Sequence, residues 1–210
     1  MGKAKQKFDQ TMSRCDAMIN LYDTLKEKGE SPTEDILRGA IVLSVAAFDA
    51  YATDCFSEHF VRYIKDHKID ESVIKLLTDA HYDIKFSIEL LKAERPYRKI
   101  RTLIDKYYAK VTTQRMEVID SLFTIYHLDS ITFNAANKTG RKPENLLKSI
   151  NLLIERRHQI VHDGDYNDYC VPKSITKTDL NRIELIKIFV DSMDTIIDSK
   201  FRKTKKKKTQ

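Results

Sequence analysis

Five glycines and four prolines are all the strong backbone punctuation in 210 residues, and the stretches between them repeat with the period of a helix. A many-stranded sandwich or barrel needs a turn signal every eight to twelve residues or so, which this chain cannot supply. No period-two alternation persists anywhere. The apolar positions Phe8, Met12, Cys15, Met18, Ile19, Tyr22 and Leu25 define a first helix over 7–28, stopped by Gly29. Ser31-Pro32-Thr33-Glu34 has the form of a capping box with Pro at the first helical position, opening a second helix that runs to about Asp66. At 1.5 Å per residue that helix is about 50 Å long, the spine of the molecule.

Further along, Asp70 caps a segment over 71–80, and 84–93 continues it after a break at His81-Tyr82-Asp83. Pro96 opens a helix to Ala109, and another spans 113–126. The Asn- and Gly-containing stretch 131–141 reads as a loop with at most one helical turn. Pro143 opens a helix ending at His162, a loop follows over 163–177, and a last helix runs from Thr178 to about Lys200. The expectation is an all-α antiparallel bundle: one domain over 1–199 and a disordered lysine-rich tail over 200–210. That tail holds seven cations between Lys200 and Lys208, against a net charge of +6 for the whole chain, so the remainder is near neutral. The tail raises affinity for RNA without selecting a sequence.

Composition narrows the setting. With 41% hydrophobic and 32% charged residues the chain fits a soluble helical protein. The most apolar stretch, Ala40 to Ala52, is broken by Ser44 and Asp49 and is too short to span a bilayer. No apolar secretion signal opens the sequence. Cys15, Cys55 and Cys170 are odd in number and scattered, which suits reduced thiols in a cytoplasmic protein that engages no membrane.

Chemistry concentrates at Arg157-His158-Gln159-Ile160-Val161-His162, followed by Asp163-Gly164. Leu146, Leu147, Ile150, Leu153, Ile154 and Val161 make the apolar stripe of that helix, and Arg157 falls on it, three residues after Ile154. A guanidinium in a core position either pairs with an acid inside the bundle or lines a cleft that receives an anion. Asp49 and Asp163 are the candidate acids. His158 and His162 share a face, while Arg157 and His162 are about 140° apart on an ideal helix. They converge only if the helix loosens at its tip or two helices meet there. A permanent cation and an imidazole that titrates near neutrality are the groups needed to stabilise a phosphate transition state and move protons without a metal or cofactor. A zinc site at His158 and His162, with Asp163 or Asp165, is disfavoured because Gln159 stands where the protease motif needs Glu. No Gly-rich phosphate loop and no Gly-x-Ser-x-Gly elbow occurs. Arg98, Lys99, Arg101 and Lys106 with Tyr107-Tyr108 form a basic, aromatic helix able to touch RNA, or simply a solvated face.

The segment from Arg157 to Gly164 resembles the signature of the HEPN superfamily: an Arg, a polar residue, and a His after four intervening positions. The run from Leu37 through Asp49 to Tyr51 is similar to the second helix of RiboL-PSP-type HEPN domains, where an apolar "LR-x-A-IVL" run leads into Asp and an aromatic. The likeness spans roughly 31–199, with no matching motif over 70–142. It implies a helical bundle that forms a homodimer with facing motifs. It also implies a metal-independent endoribonuclease of prokaryotic defence or toxin–antitoxin systems, restrained by an antitoxin or regulatory protein. Other members are non-catalytic RNA-binding or protein-interaction modules. Carried over, Arg157 and His162 are the essential pair, His158 the intervening polar residue and Asp49 an acidic helper. Gly164 occupies the position where some toxin relatives carry a modified Tyr.

Overall fold

A computed structural model describes residues 2–67, 69–109 and 115–207, with backbone alone over 203–207. Among the described residues there are nine α-helices and no strand: α1 Lys3–Glu27, α2 Asp35–Asp66, α3 Glu71–Asp79, α4 Ile84–Leu91, α5 Pro96–Tyr108, α6 Met116–Thr124, α7 Ile131–Lys138, α8 Pro143–His162 and α9 Lys177–Lys207. α2 is the spine that the sequence predicts. Ile41, Val45, Phe48, Ala52, Phe56 and Phe60 are fully buried along it, and α1, α5, α8 and α9 pack around it. By length and composition α2 passes as a membrane span, and half of its most apolar window is buried within the bundle. Its apolar residues are the core.

α1 returns antiparallel to α2 through a turn in which Gly29 adopts φ 78°, a conformation that costs little without a Cβ. The expected capping box is not formed. α2 starts at Asp35, Glu34 makes no capping bond, and the Glu34 carboxylate instead accepts from the Ile175 backbone N–H at 3.0 Å. The residues of the motif are present, but the carboxylate is drawn to a strand of loop 141 positions away. Asp70 caps α3 as expected, accepting from Val73 N–H, and Asp83, read only as part of a break, caps α4 by accepting from Phe86 N–H.

A further expectation is corrected. Residues 131–138, read as loop, form the two turns of α7. Asp120 holds its start by accepting from both the backbone and hydroxyl of Thr132 at 2.8 Å, and the small Ala135 and Ala136 are buried. The last helix also ends later than its expected bound at about Lys200. α9 continues past Lys200 to Lys207, and Phe201 is buried against Tyr126 and His59, so the chain does not leave the bundle at Lys200. Residues 208–210 lie outside the described residues, as does Thr113, the expected start of α6.

Candidate active site

α8 buries Leu146, Ile150 and Leu153 against its neighbours, and the next position of that stripe is Arg157. Opposite it the core gives way to a cavity of about 300 Å³, lined by Ala46, Asp49, Ala50, Thr53 and Asp54 of α2, by Asp105 and Tyr108 of α5 with Ala109 after it, and by Arg157. The small side chains of Ala46 and Ala50 leave the room that a core residue would fill. Arg157 Nε is buried and has no hydrogen-bond partner among the described residues. Of the two candidate acids, Asp49 lines this cavity; Asp163 is exposed at the helix end.

His158 and His162 stand one above the other on an exposed face, ring centroids 4.4 Å apart and planes tilted by 39°. Neither lines the Arg157 cavity. α8 stays regular through His162 and is closed off sharply: Asp163 N–H and Asp165 N–H both donate to Gln159 O, at 3.0 and 3.2 Å. Gly164 takes φ 67°, and a Cβ there would sit 3.0 Å from the Tyr166 ring. The helix tip therefore does not loosen, and within one chain Arg157 and His162 keep their separate faces.

What holds that tip is a cluster the sequence reading did not assign. Asp165 is buried, with φ 62°, and its carboxylate is gripped by two guanidinium groups. Arg38 Nε of α2 donates at 2.8 Å, and Arg156 of α8 binds bidentately, its NH2 at 2.9 Å. Both arginines also donate to the Lys173 carbonyl, at 2.6 and 3.2 Å, and Lys173 N–H returns a bond to Asp165 O at 2.7 Å. Loop 163–176 is thereby stapled to α2 and α8. A buried charge stands only when paired and hydrogen-bonded on this scale. Asp165 is thus spent on the staple and is unavailable as the metal ligand considered from sequence. Arg38 lies inside the run quoted for the family resemblance, and its place in that apolar stretch was the signal that it needed an acid.

Val161 on the last turn of α8 and Tyr166, Tyr169 and Val171 on the stapled loop are exposed. The family model described as RiboL-PSP-HEPN matches residues 9–199. No curated protein matches the chain, and no solved structure does.

Proposed function

This chain belongs to the RiboL-PSP-HEPN family, and from that premise we propose that it is an endoribonuclease cutting RNA by transesterification, with Arg157 and His162 as its working pair. The observation that carries the reading is Arg157: a guanidinium on the core stripe, turned into a cavity beside Asp49, with a buried Nε lacking a partner among the described residues. An anion is the group that would satisfy it.

In the reaction the ribose 2′-oxygen bonds to the adjacent phosphorus and the bond to the 5′-oxygen breaks. A histidine accepts the 2′-proton, and the departing 5′-oxygen takes up a proton, leaving a 2′,3′-cyclic phosphate and a 5′-hydroxyl. Arg157 neutralises charge gathering on the phosphate oxygens. His158, in contact with the His162 ring, orients it, and Asp49 is the acidic helper at the Arg157 cavity. The scheme asks for no metal and no cofactor.

Since His162 lies outside the Arg157 cavity of its own chain, the complete site is a cleft between two copies, and the exposed Val161, Tyr166, Tyr169 and Val171 belong to the surface a second copy would cover. In the cell such an enzyme acts as a cytoplasmic defence or toxin–antitoxin component held in check by an antitoxin or regulatory protein. The separation of the histidines from the Arg157 cavity is also what a non-catalytic RNA-binding or protein-interaction module would display. Incubation with RNA in EDTA decides between them. Cleavage that persists with chelator and vanishes in both Arg157→Ala and His162→Ala supports the enzyme; no cleavage of varied RNAs supports the module.

A further inference from the structure

We propose that the groove between the first half of α5 and the last half of α2 is a track for the backbone of single-stranded RNA, delivering it to Arg157. The proposal rests on the endoribonuclease reading above. The groove has a volume of about 810 Å³ and is lined by Lys3, Arg62 and Lys65 on one side and by Tyr97, Arg98 and Arg101 on the other. Five of these six are cations. The lining also holds two acids, Glu58 and Asp105. Glu58 is occupied in receiving the backbone N–H groups of Lys3 and Ala4, at 3.2 and 3.1 Å. Asp105 stands at the end of the groove, 3.8 Å from Arg101 Nε. Arg62 is turned to Phe201, whose carbonyl it meets at 2.6 Å, and to Asp66; the other four cations against two acids leave an excess of two positive charges facing the groove.

Geometry ties this surface to the candidate active site. Asp105 lines both the groove and the Arg157 cavity, so the two adjoin at that residue of α5. From Tyr97 to Tyr108 the helix rises about 16 Å. Arg98 and Thr102 also face the cavity on the other flank of α5, where Lys92, Arg95, Lys99 and Lys106 add four cations against the two acids Glu89 and Glu94. The basic character therefore crosses the ridge of the helix and is not confined to one pair of residues.

The groove suits an unpaired strand. Lys65 Nζ sits 3.9 Å from the centroid of the Tyr97 ring, which fixes the ammonium at the groove wall, and Tyr97 remains 41% exposed. Alternating cations and an accessible aromatic ring are the means by which proteins hold single strands without reading sequence. Attack by a 2′-oxygen also requires the linkage to align with its leaving group, which a base-paired A-form helix opposes.

The test measures binding apart from turnover. In a His162→Ala background, anisotropy of an unstructured oligoribonucleotide is followed across salt concentration. Each phosphate contact removed lowers the steepness of log K against log salt by about 0.7. Arg98→Gln/Arg101→Gln should therefore lower it by about 1.4, and Lys65→Gln alone by about 0.7. Lys26→Gln/Lys28→Gln, exposed cations of the α1 terminus that line neither surface, should leave it unchanged. A duplex of the same sequence should bind more weakly. With His162 intact, Arg98→Gln/Arg101→Gln should slow cleavage of the oligoribonucleotide and spare a dinucleoside monophosphate, which is too short to occupy the groove. Slopes equal to the control, tighter binding of duplex, or an equal response to polyglutamate would overturn the track, the last in favour of an acidic protein segment. If wild-type protein cuts neither substrate while the slope changes stand, the nuclease reading fails and the groove assignment survives.

Discussion

Asp165 and His162 are three residues apart and carry opposite kinds of weight. Asp165 is fully buried between Arg38 and Arg156, so its removal strands two guanidinium groups in the bundle. Asp165→Ala is expected to cost about 3–5 kcal/mol in urea unfolding. His162 is exposed; His162→Ala should change stability by less than about 0.5 kcal/mol while lowering the cleavage rate by about 10²–10⁴. A comparable stability loss in both variants would contradict this division. Asp194 offers a pH-dependent counterpart. Burial pushes its carboxyl above the ordinary carboxylate range, against the lowering effect of the Tyr51 hydroxyl that donates to it. The folded state then holds its proton more tightly than the unfolded chain. Stability falls as pH rises from the ordinary carboxylate value through the raised one. Asp194→Asn should raise the neutral-pH Tm and flatten that stretch of the profile. Arg157, His158 and His162 were legible because one helical segment carries them all. The partners of Asp165 were not, since Arg38 lies 127 positions away and only folding brings them together.

Helices with a strong apolar stripe were readable from their spacing, and those shaped by remote contacts were not. α2 and α8 declare themselves through residues that α-helical geometry places on one side. α7 was hidden by its Asn and Thr content and by Gly140 just beyond its end. Its buried face is short, Ile131, Thr132, Ala135 and Ala136, and the N–H of Thr132 is held by Asp120 on the preceding helix. The end of α9 was hidden by charge. From sequence the lysines after Lys200 read as a solvated segment, but Phe201 is anchored in the core, its carbonyl receiving Arg62 NH2 at 2.6 Å and its ring lying beneath the Arg62 guanidinium. Phe201→Ala should therefore cost about 3–5 kcal/mol by thermal or urea unfolding. A loss below about 0.5 kcal/mol, typical of a surface position, would return that residue to the tail.

Across the whole molecule, burial is uneven in a way that separates scaffold from periphery. α2, α8 and α9 share the core, whereas α4 has no buried residue, and Ile84 and Leu91 on it are 81% and 88% exposed. Few apolar contacts mean a low free energy of local opening. Amides of α4 should exchange with solvent well before those of α2 and α8; uniform protection would oppose that ordering. The rigid part thus carries Arg157 and the stapled helix tip, and the family match over 9–199 spans the same elements. The most direct measurement is the chemistry of the new RNA ends, read by mass spectrometry after single-turnover cleavage in EDTA. The expected product is a 2′,3′-cyclic phosphate with a 5′-hydroxyl, formed by the wild type and lost in Arg157→Ala and His162→Ala. A 5′-phosphate with a free 3′-hydroxyl, or cyclic phosphate formed equally by those variants, would contradict transesterification by this pair.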